Sequence, residues 1–181
     1  MAELHPLLAE RWSPRAFDPY ARVSDADLTS LLEAARWAPS AANTQPWRFV
    51  VGRRDDETHK RIFVNLSPGN QRWAGSAALL VMGAHATASR TGAPLTHAAY
   101  DLGQAVAHFS LQAAALGLHV HQMAGFDAAG LRSDLELPDA VNPHVVAAVG
   151  RLGDPAFLPE DLRLRETGLR RRHPLTDLLL N

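Results

Sequence analysis

Ala38-Pro39-Ser40-Ala41-Ala42-Asn43-Thr44-Gln45-Pro46-Trp47 stands between an amphipathic helical pattern and the strand-like run Arg48-Phe49-Val50-Val51. Pro39 and Pro46 fix φ and withdraw their own N–H groups, so the helix cannot continue through the segment. Ser40, Ala41 and Ala42 carry little side chain and let another molecule approach the backbone closely. Asn43 and Gln45 supply amide donors and acceptors suited to a polar planar group. By itself the segment reads equally well as a helix-to-strand turn with polar caps.

Upstream, Ser24 is placed to cap a helix with Asp25 and Asp27 in its first turn; Leu28, Leu31, Leu32 and Ala35 follow at the spacing of one buried face. Before that, Leu4–Trp12 reads as a short helix and Ser13–Pro19 as a loop. Downstream, Trp47–Gly52 predicts a strand, Asp55–Val64 a helix, and Ser67-Pro68-Gly69-Asn70 a turn. Ala77–Gly83 is continuously apolar, as a strand covered on both faces would be. Pro94–Leu116 predicts the longest helix, apolar over most of its circumference, which suits a central helix or a subunit interface. Leu118–Met123 and His144–Val149 read as strands flanking a short helix over Asp127–Leu135.

Strands alternating with helices imply a layered α/β or α+β fold. No repeat or boundary interrupts the pattern, so residues 1–181 read as one domain. Beyond Asp154 the periodicity fades through Pro155, Pro159 and Pro174, and residues 154–181 are expected to form an extension wrapped around a partner subunit.

Composition removes several chemistries. The chain has no cysteine, which excludes disulfides, thiolate metal sites and cysteine nucleophiles. A formal net charge of −1 gives no general attraction to nucleic acid or an anionic membrane. Met1-Ala2-Glu3-Leu4-His5-Pro6 lacks the pattern of a signal peptide, and no apolar run reaches the roughly 18 residues of a bilayer span, so a cytoplasmic protein is expected. His119 and His121 fall on one face of a strand without a third ligand at metal-binding spacing, and no metal site is expected. Neither a dinucleotide-binding glycine fingerprint nor a Gly-x-Ser-x-Gly elbow is present.

Arginine supplies all but one of the 18 basic residues, the exception being Lys60, so any anion site must be built from guanidinium forks. Arg11, Ser13 and Arg15 lie close together near one terminus, and Arg170-Arg171-Arg172 near the other. Two such clusters can converge on a phosphate. Alone, the second also reads as a solvated basic tail.

Taken in order, these segments resemble the FMN-dependent nitroreductase family. Arg11-Trp12-Ser13-Pro14-Arg15 is similar to its N-terminal phosphate and flavin motif, and Ala38–Trp47 to its most recognisable signature. Asn70-Gln71-Arg72-Trp73 resembles the segment whose Asn meets the flavin ring, and Asp101-Leu102-Gly103-Gln104-Ala105 part of the long central helix. His121-Gln122-Met123-Ala124-Gly125-Phe126 resembles the strand end whose Gly N–H faces flavin N5, and Arg170–Leu175 the C-terminal phosphate clamp.

The resemblance implies a homodimeric α+β fold, a three-layer α/β/α sandwich with a central, mainly antiparallel sheet. It implies FMN held by Arg11, Trp12, Ser13, Arg15, Asn70, Met123, Ala124, Gly125, Arg170 and Arg172, with Pro39, Ser40, Ala41 and Asn43 reaching the flavin of the other subunit. NADH or NADPH would deliver hydride to flavin N5, which would pass it to a nitroaromatic, quinone or enone-like acceptor. No side chain is expected to be catalytic in its own right. The alternatives are a flavin-remodelling enzyme and a non-catalytic flavin storage or sensor protein. Some relatives carry Glu where Ala124 stands and Lys where Trp73 stands, both near the substrate side of the flavin, so the acceptor does not transfer with the resemblance.

Overall fold

In the computed structural model, which describes residues 3–180, the chain runs α1 (Pro6–Glu10), α2 (Asp25–Arg36), β1 (Trp47–Arg53), α3 (Glu57–Val64), α4 (Pro68–Ala74), β2 (Leu79–Ala86), α5 (Ala98–Ala115), β3 (His119–Met123), α6 (Ala128–Asp134), β4 (Val141–Gly150) and α7 (Glu160–Glu166). Met1 and Ala2, the start of the run read for a signal peptide, lie outside the described residues, as does Asn181 at the end of the expected extension.

The four strands form one sheet in the order β1-β2-β4-β3, every neighbour antiparallel. Strand β2 is the centre of the molecule, and its unbroken apolar run is explained by burial on both faces. Side chains alternate across it. Leu79 and Val81 pack with α2 and α5 on one face through Leu31, Leu102, Val106 and Phe109. Leu80 and Met82 pack on the other with Ile62 of α3, Trp73 of α4, Leu131 of α6 and Leu162 of α7. The result is the expected α+β sandwich of three layers around an antiparallel sheet.

Ser24 caps α2 as its sequence requires, its Oγ accepting the Asp27 N–H at 3.0 Å. Three expectations need correction. Ser67–Asn70 is not a free turn: Pro68 opens α4, where its missing N–H leaves no intrahelical bond unmade. Helix α5 begins at Ala98, because Leu95 N–H bonds Thr87 O at 2.9 Å and closes a loop ahead of it. The chain beyond Asp154 does fold back on its own core at first, since α7 buries Leu162 and Glu166. The exposed stretch begins after α7, and its leucines Leu175, Leu178 and Leu179 stand 73%, 70% and 64% exposed.

Candidate active site

The segment that leaves α1 is held from behind by two distant parts of the chain. Glu166, at the end of α7, accepts the Arg15 N–H at 2.8 and 3.0 Å and the Ala16 N–H at 2.9 Å. Its carboxylate also lies 3.9 Å from the Arg15 guanidinium. On β3, His121 donates from Nδ1 to Pro14 O at 2.8 Å, since a carbonyl can only accept. Burial pushes this imidazole down to about 4, outweighing the Pro14 bond, so it is neutral at physiological pH. Its ring packs against Trp73 at 4.4 Å. Arg11–Arg15 is thus a loop with a fixed back wall.

In front of that wall is a cavity of about 620 Å³ lined by Arg11, Trp12, Ser13, Arg165, Glu166, Arg170 and Arg172, with Gly168 and Leu169. Volumes of roughly 300–1,000 Å³ are usual for small-molecule and cofactor sites. Arg170 donates to Arg11 O at 2.6 Å and to Ala9 O, so it satisfies carbonyls at the end of α1 as well as carrying charge into the cavity. Arg11 donates to Ser13 Oγ at 3.4 Å. Burial, then the fields of Arg170 and Arg172, lower the pKa of Arg11 from its ordinary value. Three guanidinium groups therefore press on one another around a shared space, and an anion entering it would relieve the repulsion.

Asn70 and Gly125 meet at a second point. Gly125 O accepts from Asn70 Nδ2 at 3.0 Å and from Ser67 N–H at 2.9 Å. A Cβ on residue 125 would lie 2.7 Å from Ser67 Oγ and 3.1 Å from Asn70 Nδ2, so a larger residue there would have to displace one or both side chains. No acceptor among the described residues takes the Gly125 N–H. Met123 is 3% exposed and belongs to the core, leaving only its backbone to border a ligand, whereas Ala124 is exposed. Trp73 is buried between Phe17, at 6.2 Å, and His121, and packs in the core.

The Pro39–Asn43 loop is built separately. Ala42, Asn43 and Gln45 adopt φ of 50°, 55° and 48°, a left-handed conformation that is strained for Ala and better tolerated by Asn. Asn43 N–H to Ser40 O at 3.0 Å, Thr44 N–H to Ala41 O at 3.1 Å and Gln45 N–H to Ser40 Oγ at 3.1 Å hold that shape. The buried Asp101 carboxylate of α5 takes the Ala41 N–H at 3.2 Å, fastening the loop to the central helix. Within one chain, Pro39, Ser40, Ala41 and Asn43 do not line the arginine cavity. Arg11, Trp12, Ser13, Arg170 and Arg172 do, and Asn70 joins Gly125.

The sequence profile of the Nitroreductase family matches residues 8–67. A Streptomyces coelicolor protein provisionally named an NADH dehydrogenase/NAD(P)H nitroreductase is 33% identical over 156 residues, covering 75% of this chain and 77% of that protein. The chain belongs to the nitroreductase family. A crystal structure described as an oxidoreductase containing FMN superposes with a TM-score of 0.92 at 37% identity, over 99% of this chain and 91% of that one. A provisionally named nitroreductase of Desulfovibrio desulfuricans, crystallised in complex with FMN, gives 0.80 at 26% identity over 99% and 98% of the two chains.

For this family member, sequence reasoning missed three residues of the site. Arg165 and Glu166 fell in a stretch read as aperiodic, although Leu158, Leu162 and the Glu160-Asp161 pair ahead of them mark a short helix. Asp101 is a lone acid among the apolar residues of the central helix, and that is the signal the sequence offers for it.

Proposed function

We propose that the protein is an FMN-dependent NAD(P)H oxidoreductase whose flavin sites are shared across a homodimer. The observation that carries this reading is the convergence of Arg11, Arg170 and Arg172 with Ser13 on one cavity. A Gly125 N–H that has no protein acceptor among the described residues supports it. The donor set fits a phosphate monoester, and no element of a dinucleotide-binding fingerprint accompanies it, which favours FMN over FAD.

Bound FMN supplies a hydride acceptor that alternates between a nicotinamide donor and a small organic acceptor. Arg11, Ser13, Arg170 and Arg172 hold the phosphate. Arg15, kept in place by Glu166, is the cation that opposes negative charge gathering on the ring's pyrimidine edge. The Gly125 N–H addresses the ring nitrogen that takes the hydride, and Asn70 fixes that glycine through its carbonyl. Trp12, Met123 and Ala124 border the ring. Pro39, Ser40, Ala41 and Asn43 come from the partner subunit and leave a flat slot for donor and acceptor in turn. The acceptor class is a nitroaromatic, a quinone or an enone.

Two surfaces support the dimer. On α5, Tyr100, Gly103 and Ala107 are exposed on a helix whose opposite face is core. The leucine-bearing residues after α7 leave apolar side chains in water that wrapping a second copy would bury. No helix among the described residues is long and apolar enough to cross a membrane, and the reading includes a cytoplasmic location.

The test is the absorbance spectrum of the purified protein under anaerobic conditions. Tightly held FMN, bleached by NADH or NADPH and restored by a quinone or nitroaromatic, is the expected result. FAD in place of FMN, or a flavin that no nicotinamide donor reduces, would overturn the reading. Light scattering tests the shared site separately, because a 19.7 kDa particle with full flavin occupancy contradicts it.

A further inference from the structure

A second polar cavity, of about 730 Å³, has Asn43 of the Pro39–Asn43 loop in its wall and shares no lining residue with the arginine cavity. Its walls carry Thr44, Gln45 and Arg48 from one strand end and Ser89, Arg90 and Leu95 from the loop before α5. None of the described lining residues is acidic. Both guanidinium groups sit on organised backbone. Arg48 Nη1 donates to Trp47 O at 2.7 Å and Gln45 O at 3.2 Å, which leaves its remaining N–H groups directed elsewhere.

The loop that carries Arg90 is closed by its own bonds. Ser89 N–H reaches Ala93 O at 2.8 Å, Gly92 N–H reaches Ser89 O at 3.0 Å, and Ser89 Oγ accepts the Ala93 N–H at 3.1 Å. Ala88 and Pro94 pair across its neck. Arg90 is therefore presented at the tip of a preformed turn rather than on a free tail.

We propose that this cavity is an anion site for the phosphate groups of the nicotinamide dinucleotide donor. The inference rests on the reading of the protein as an NAD(P)H oxidoreductase. There the Pro39–Asn43 loop borders the flavin of the partner subunit, and a donor whose nicotinamide lies on that flavin extends its phosphates away from the ring. The cavity includes Asn43 of the same loop, offers two cations, Arg48 held by backbone carbonyls and Arg90 carried on a closed turn, with uncharged hydrogen-bonding groups, and opposes them with no carboxylate. Arg48 and Arg90 take phosphate oxygens in their guanidinium forks, while Thr44 and Ser89 supply hydroxyls.

Arg90 is the residue to test, because removing Arg48 would also free the Gln45 and Trp47 carbonyls. The FMN-loaded wild-type protein, Arg90→Ala and Arg90→Lys are each reduced anaerobically by NADPH, by NADH and by 1-benzyl-1,4-dihydronicotinamide, a donor with no phosphate. Relative to the phosphate-free donor, Arg90→Ala is expected to lose about tenfold or more in kcat/KM for at least one dinucleotide, chiefly through KM, with partial recovery in Arg90→Lys. A loss confined to NADPH assigns the site to the 2′-phosphate, and a loss shared by NADH assigns it to the pyrophosphate; both support the proposal. A parallel change with all three donors, or no change with any, overturns it. Reduction of the wild-type flavin by the phosphate-free donor stands apart from this comparison, so failure of the anion site and failure of the flavin reading are read separately.

Discussion

Replacing Glu166 with Ala removes the acceptor of two backbone N–H groups that lie 151 and 150 residues away in the chain. Hydrogen bonds to an ionised group contribute about 1.5–3 kcal/mol each, and a buried donor left without a partner costs about 1–3 kcal/mol. Ala16 is buried and its N–H stays unpaired, whereas the half-exposed Arg15 can recruit water. The net loss is about 2–4 kcal/mol, which for a chain of this size is a fall in Tm of roughly 5–15 °C. Glu166→Gln keeps an oxygen where Oε1 already serves both donors, and loses the charge opposite Arg15, so its effect is about half as large. Thermal unfolding of the FMN-free protein by circular dichroism measures the stability change. Titration with FMN, followed by flavin fluorescence, measures the site. We expect Glu166→Ala to weaken FMN binding by about tenfold or more, because Arg15 loses its anchor. A variant with Tm within about 2 °C of wild type and unaltered FMN affinity would show that the α7 carboxylate holds neither the loop nor the cation.

Arg172→Ala should weaken FMN binding by about 10- to 100-fold, the loss of one charge-assisted phosphate contact, and unchanged affinity in the same titration would place Arg172 in the solvated tail. Gly125→Ala should destabilise the protein by about 1–3 kcal/mol in denaturant unfolding, because the new methyl meets Ser67 Oγ at 2.7 Å; adding Ser67→Ala should recover part of it, and additive losses would refute the contact. For pH, the folded value of about 4 for His121 lies below its ordinary 6.5, so the unfolded chain takes up a proton first and stability is complete above pH 6.5 and lost as pH falls toward 4. That gap amounts to about 3 kcal/mol, with the buried His59 and the half-buried His119 acting in the same direction, and His121→Gln should give a visibly shallower acid limb in urea melts taken across that range.

The local patterns were legible. Ser24 with its acidic first turn, the alternation that divides Leu79 and Val81 from Leu80 and Met82, and the small-residue run between Pro39 and Pro46 each follow from geometry spanning a few residues. The arginines at the two ends of the chain were legible as charges but not as partners. Ser67-Pro68-Gly69-Asn70 misled because Pro and Gly mark turns in one context and a helix start in another; the Ser67 N–H bond to Gly125 O, across 58 residues, belongs to the second context.

What the sequence by itself determined is therefore the set of elements, the faces they bury and the types of group available to bind an anion. Only the tertiary structure decided that Glu166 anchors Arg15 and Ala16, that Arg170 caps the carbonyls of α1, that Trp73 is core, and that Asp101 fastens a loop holding Ala42 in a left-handed conformation. The physical reason is range. Helix and strand periodicities repeat within a few residues, whereas a buried carboxylate or a strained loop persists only if partners far along the chain are delivered to it, and that delivery depends on how the packed layers close.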